Sequence, residues 1–274
     1  MSTQFKLSIL AGDAPNRPPA QIAPGFDLAE IPLSMYGVPA ESETKWAERK
    51  AEIASWRLPP IGMSSHYFGG GLVASGPVVD NELINFWAPR GFRRMAELGV
   101  KVVGCYGAHF PVPEGFSKTK AMDQALAYVN RMADEAGKHG QVIALEPMAK
   151  LDTLFPRYVD GLAFVKEVNR REVRIMADLA YFLKLEQPIS DIARQPEWCV
   201  HVHIAGDKGQ PGVGDMSGIH LKLFRQLRDI GYQGAVSCAC PWIATNGAST
   251  MDFGVETGKT LAYLRELRDR AYNG

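Results

Sequence analysis

Three residues able to hold a metal ion and move a proton stand at the ends of successive apolar runs. Glu146 closes Val142–Glu146, Asp178 closes Val173–Asp178 and His203 closes Val200–His203. A fourth run, Ala235–Cys240, has Ala239 near its end and no acid there. Carboxylate oxygens and an imidazole nitrogen form a suitable donor set for Mn²⁺, Mg²⁺, Co²⁺ or Zn²⁺. A carboxylate in such a set can also take a proton from a carbon beside a carbonyl, so the pattern points to metal-assisted proton transfer on a small substrate. A lone Asp or Glu in such a place usually caps the following helix or holds a loop. Three polar ends in succession speak instead for a shared site.

That site requires the three side chains to point the same way. Residues two apart on a strand face one side, which groups Val142, Ala144 and Glu146, then Arg174, Met176 and Asp178, then Cys199, His201 and His203. Short β-rich runs alternate with longer amphipathic segments, the mark of βα units and a parallel sheet. Eight strands are predicted, at Lys6–Leu10, Leu28–Pro32, Ile61–Tyr67, Val100–Tyr106, Val142–Glu146, Val173–Leu179, Cys199–Ile204 and Ala235–Cys240. Ala121, Ala125, Val129, Met132 and Ala136 recur at intervals of three or four, predicting a helix over Thr119–Lys138 that stops at Gly140. Similar patterns cover Gly161–Asn169, Ile219–Ile230 and Val255–Tyr272. Ser34–Leu58 shows no strand and only a charged helix candidate, Glu41–Ala54. The expected fold is α/β, a single (β/α)8 barrel occupying residues 1–274 as one domain. Barrels of this kind run to about 250 residues and place their chemistry at the carboxyl ends of the strands.

The bulk composition narrows the ligand. Thirty basic residues balance thirty acidic ones, with no long run of either sign, so nothing favours nucleic acid or an anionic membrane. No segment reaches the roughly 18 unbroken apolar residues of a membrane span, and the start has no secretory pattern; a cytoplasmic location is expected. The cysteines, Cys105, Cys199, Cys238 and Cys240, have neither zinc-knuckle nor redox CxxC spacing and are expected as reduced thiols.

Several motifs together carry a resemblance. Ile143-Ala-Leu-Glu-Pro147, Ile175-Met-Ala-Asp178, His201-Val-His-Ile-Ala205 with Pro211-Gly-Val-Gly-Asp215, and Gly231-Tyr-Gln-Gly234 follow one another in order. Upstream stand Gly25-Phe-Asp-Leu-Ala-Glu30 and Gly104–Phe116 with Gln124. This series resembles the xylose isomerase-like barrel superfamily of sugar isomerases, epimerases and hydroxypyruvate isomerase-like proteins. The resemblance implies one divalent metal on Glu146, Asp178 and His203, with Ala239 where a second metal-binding, proton-moving Glu would stand. It also implies a sugar-like small-molecule substrate and homo-oligomers.

The departures cluster on the same site. Ala239 can neither bind metal nor take a proton. Tyr181 stands where relatives have the His of an Asp-x-x-His pair, Gln210 near the place of an Arg, and His109-Phe110 where another Arg is common. Fewer arginines disfavour a carboxylate or phosphate on the substrate. The expected reaction is isomerisation or epimerisation of a polyhydroxy carbonyl compound through an enediolate. Glu146 is one base; His66, His109 and Tyr181 are candidates for the second. His109, Trp242 and Glu30 are candidates to touch substrate, Trp242 by stacking on a sugar ring, although rim packing explains Trp242 equally and a structural hydrogen bond explains Glu30 better. His201, one pleat deeper, reads as an interior partner of the site, and alternation sends Cys238 and Cys240 away from Ala239. A one-base lyase and a non-catalytic sugar-binding protein remain open. So does an introduced Glu→Ala change, which Ala239→Glu reversion would expose as a large gain in activity.

Overall fold

Runs rich in Val, Ile, Ala and Met form the strands β1 (Lys6–Leu10), β2 (Leu28–Pro32), β3 (Ile61–Ser65), β4 (Val102–Tyr106), β5 (Val142–Glu146), β6 (Val173–Asp178), β7 (Cys199–Ile204) and β8 (Ala235–Cys238). The computed structural model describes residues 4–65 and 72–274. Each strand pairs in parallel with the next, and β8 returns to β1 from Lys6↔Ala235 to Ile9↔Cys238, closing a barrel in sequence order. The predicted (β/α)8 barrel is the fold.

The connections carry α1 (Leu33–Tyr36), α2 (Glu43–Ser55), α3 (Asn81–Glu97), α4 (Lys118–Lys138), α5 (Tyr158–Val168), α6 (Leu179–Lys184), α7 (Ser217–Asp229) and α8 (Phe253–Asn273). In α4 the predicted stripe of Ala121, Ala125, Val129, Met132 and Ala136 is buried, and the Ser117 hydroxyl accepts the Lys120 N–H at its start. The sequence reading passed over α3, whose interior Pro89 removes a helix donor. That loss costs about 3 kcal/mol. Burying Ile84, Phe92 and Met95 on one face outweighs it at about 1.5–3 kcal/mol each. Arg94 on α3 is fully buried and ties down the stretch that showed no strand, donating to the carbonyls of Gly37, Val38 and Glu41 and pairing with Glu43. Among the described residues no helix is long and apolar enough to cross a membrane.

Strand alternation sorts the barrel wall into two layers. Ile143, Leu145, Ile175, Val202 and Ile204 join the core under the helices. Met63, Ala144 and Met176 cluster separately, with Val102 and Val200 against them, and Ala144 and Met176 belong to the alternation set that ends in Glu146 and Asp178. A register shift between Ile175 and Met176 sets Met176 beside His201 and Asp178 beside His203. Without that extra residue Asp178 would fall beside Val202, one step out of phase. The strand pairing thereby delivers the acid and the imidazole to one level.

Candidate active site

Around the carboxyl ends of the strands lies a cavity of about 330 Å³ lined by Glu146, Asp178, His203, Tyr181, Ala239 and residues of the loop after β1. His203 Nδ1 is 3.1 Å from Glu146 Oε1 and 3.9 Å from Asp178 Oδ2. One ligand atom from each of the three lies within 4.8 Å of the others. Asp178 caps a helix and also lies beside His203 and Glu146. Its Oδ1 accepts the Ala180 N–H at 2.8 Å, capping α6, while Oδ2 lies 3.9 Å from His203 Nδ1.

Beneath His203 the barrel interior holds a second polar layer. Glu30, from β2, accepts from His203 Nε2 at 3.1 and 3.2 Å and from His201 Nε2 at 3.0 Å. All three side chains are buried. Burial alone would raise the Glu30 carboxyl, but His203 and His201 outweigh it and hold it well below the usual carboxylate range. Burial pulls the His203 imidazolium down, yet the Glu30 and Glu146 carboxylates carry it well above its ordinary value. Asp178 is pushed up to about 6, by burial first and then by the Glu146 charge. In His201 burial prevails over Glu30, so that imidazole favours its neutral form.

These residues fit a divalent ion. Engaging Nε2 with Glu30 fixes the His203 tautomer and leaves Nδ1 turned toward two carboxylates, the arrangement that orients a ligating histidine. Glu30, His201 and His203 also form a group close enough to hold an ion. Both imidazoles already donate to Glu30, so that lower group is satisfied from within.

Other expectations meet the structure unevenly. Tyr181 lines the cavity, and burial followed by the charges of Glu146 and Asp178 pushes its phenol up, keeping it protonated. His66 lies outside the described residues. Glu30, expected to touch substrate, lies under His203 with no exposed surface and off the cavity wall. His109 is also off the wall; it is buried with Nδ1 3.0 Å from the Leu72 carbonyl. Trp242 turns into the core, its ring edge-on to Phe253 at 5.1 Å, so the expected stacking surface is used for packing. Gln210 ties the loop after β7 to the loop after β8 through Ile243 and to α8 through Glu256. Cys240 corrects another expectation. The β8 ladder ends at Cys238, alternation lapses, and Cys240 lines the cavity beside Ala239. Burial pushes its thiol up, so the group is a thiol rather than a thiolate.

Sequence reasoning missed Tyr106, Met148, Asp13 and Arg17 on the same wall. Asp13 and Arg17 pair at 3.0 Å, and Arg17 also donates to the Cys240 carbonyl at 2.8 Å. The cavity therefore does contain a guanidinium, but one balanced by its own carboxylate. A cavity of about 250 Å³ at the opposite mouth is lined by Lys6, Ser8, Met63, Val102 and His201, among others, and among the described residues no carboxylate lines it.

A family model described as xylose isomerase-like TIM barrel matches residues 23–267. A D-psicose 3-epimerase of Agrobacterium fabrum is 27% identical over 172 residues, which is 61% of this chain and 58% of that protein. The chain thus aligns with little more than half the length of that relative. A 3-keto-D-glucoside 4-epimerase from E. coli superposes with a TM-score of 0.75 at 20% identity, covering 96% of this chain and 100% of the other. A D-psicose 3-epimerase from Clostridium cellulolyticum H10, solved with D-tagatose, gives 0.75 at 20% identity, covering 96% and 99%. At such identity the superpositions speak for the fold. With a barrel closed in sequence order and a family match running from before β2 into α8, the chain belongs to the xylose isomerase-like TIM barrel family.

Proposed function

We propose that this chain, acting as one domain over residues 1–274, is a divalent-metal-dependent isomerase or epimerase of a sugar or related polyhydroxy carbonyl compound. The observation that carries the reading is the convergence of Glu146, Asp178 and His203 on one cavity at the carboxyl end of the barrel. The names of the relatives support it, since both describe inversion of a single sugar centre. A divalent ion on these residues, whether Mn, Mg, Co or Zn, would polarise the substrate's carbonyl and neighbouring hydroxyl oxygens and offset the charge that builds as a proton leaves carbon.

The chain's own groups do the rest. Glu146 takes the proton from the carbon beside the carbonyl, and the electron pair of that C–H bond becomes the double bond of an enediolate. Tyr181, kept protonated, can donate to a substrate oxygen on the Glu146 side of the cavity. The Asp178 bond to Ala180 and the Glu30 bonds to His203 hold both side chains in place before substrate arrives. The Asp13–Arg17 pair is balanced, which fits a neutral polyol chain better than a phosphate.

Ala239 favours a second reading, because a wall without an acid at the β8 end also suits a one-base elimination. One experiment separates the readings: a panel of D-psicose, D-tagatose, D-fructose and L-ribulose in heavy water with added Mn²⁺. Deuterium entering at the carbon beside the carbonyl, and lost by about 10²–10⁴-fold in Glu146→Gln, is the expected result. Release of water with a new carbonyl product identifies a lyase. Sugar binding without exchange or elimination identifies a binding protein and sinks the enzyme reading.

A further inference from the structure

Epimerisation needs proton donors and acceptors on opposite faces of one carbon, and among the described residues the β8 end of the cavity offers Ala239, Cys240 and Pro241 but no carboxylate. The loop after β1 covers that place. Arg17 bonds the carbonyl of Cys240, the residue after Ala239, and holds the Asp13 carboxylate at 3.0 Å. The loop is stitched shut by Gly12 N–H to the Arg17 carbonyl at 2.7 Å and Arg17 N–H to the Ala14 carbonyl at 3.0 Å. Gly12 has a φ of +80°, and a Cβ there would run into the Tyr36 ring, so the turn that aims Asp13 depends on glycine. The closed barrel runs in order from β1 to β8, which puts β1 four strands from β5 in either direction. Asp13, after β1, and Glu146, ending β5, line the same cavity from opposite sides. Tyr181 is no substitute, because it sits within reach of the charges of Glu146 and Asp178, on their side.

We propose that Asp13 is the second acid–base residue, acting on the face of the substrate carbon opposite Glu146 and taking over the work of the glutamate absent at Ala239. The inference rests on the epimerase reading above. In one direction the Glu146 carboxylate takes the proton, the C–H bond breaks and the carbonyl π pair moves onto oxygen. The Asp13 carboxyl then gives its proton to the opposite face, a new C–H bond forms and the carbonyl returns. Glu146 ends protonated and Asp13 ionised; exchange with water resets both. The reverse reaction exchanges their roles. Arg17 is a positioning residue that orients Asp13 and offsets its charge once it is ionised.

The test is Asp13→Asn, assayed as Mn²⁺-loaded protein with each member of an interconverting 2-ketose pair in heavy water. Interconversion should fall by about 10²–10⁴-fold. Deuterium wash-in should persist for the epimer whose proton faces Glu146 and vanish for the other. Asp13→Glu, which keeps a carboxylate, should keep interconversion at a reduced rate. Unchanged interconversion in Asp13→Asn overturns the proposal. Equal loss of both wash-ins in the Asn and Glu variants also overturns it, leaving Asp13 as a loop-holding residue. No exchange by the unaltered protein with any sugar refutes the epimerase reading itself, a separate result from either of these.

Discussion

His203 is the residue on which the site turns, because its two ring nitrogens serve different layers. Nδ1 faces Glu146 and Asp178, and Nε2 faces Glu30. Replacing Glu30 by Gln removes the charge that holds the Nε2–H while keeping the shape. Loss of such an outer partner lowers metal affinity by about 10–100-fold, which a competition titration against a chelating dye measures; unchanged affinity would mean that Glu30 does not orient the ligand. The convergence of Glu146, Asp178 and His203 was legible in the sequence because period-two alternation and the strand ends agree at those positions. The link from Glu30 to His201 and His203 was not, since it crosses the barrel between strands that are not neighbours. Asp13 and Arg17 were invisible for another reason. They sit in an irregular loop, where no periodicity predicts which way a side chain points.

Among the elements, the loop after β1 and the end of β8 supply the cavity wall that faces Glu146 across the barrel. Gly12→Ala puts a side chain at positive φ against Tyr36. The expected cost is about 1 kcal/mol or more, read as a lower urea midpoint. A larger proportional loss of turnover should accompany it, because the loop carrying Asp13 must move. Wild-type stability and turnover together would contradict the close packing of Gly12. Eight strands and the helices α4, α5, α7 and α8 were readable from hydrophobic period alone. The misreadings came where the period stops: Cys240 and Trp242 lie beyond the last β8 pairing, and Pro89 hid α3. Cys240, a buried thiol on the cavity wall, should react slowly with iodoacetamide and more slowly still once a ligand fills the cavity; mass spectrometry of the modified peptide reads both rates.

For the molecule as a whole, the proposed metal centre sets proton and metal in competition for the same atoms. In the metal-free fold Asp178 titrates near 6 and His203 well above its ordinary 6.5, so both bind protons that the unfolded chain would have released. Stability rises with pH only where the unfolded state holds more protons. These two groups therefore stabilise the metal-free fold at low pH. The Asp178 contribution fades as pH climbs toward 6, and that of His203 as pH passes its raised value. Glu30 acts oppositely, its contribution being lost only as pH falls below the ordinary carboxylate range. A metal must displace the Asp178 and His203 protons, so its apparent affinity should rise with pH through 6 and beyond. Ion at 100 times its dissociation constant adds about 2.7 kcal/mol. The difference in Tm between metal-loaded and chelator-treated protein should widen from pH 5.5 to 8, within about the range in which these two groups lose their protons; a constant difference would contradict the proton competition.

The most direct test of the three-residue centre is the metal content of protein purified without added metal or chelator, measured by elemental mass spectrometry beside an Asp178→Ala control. Close to one equivalent of Mn, Co, Zn or Mg per chain, lost in the control, is the expected result. Protein that arrives empty and takes up none of these ions on titration would contradict it.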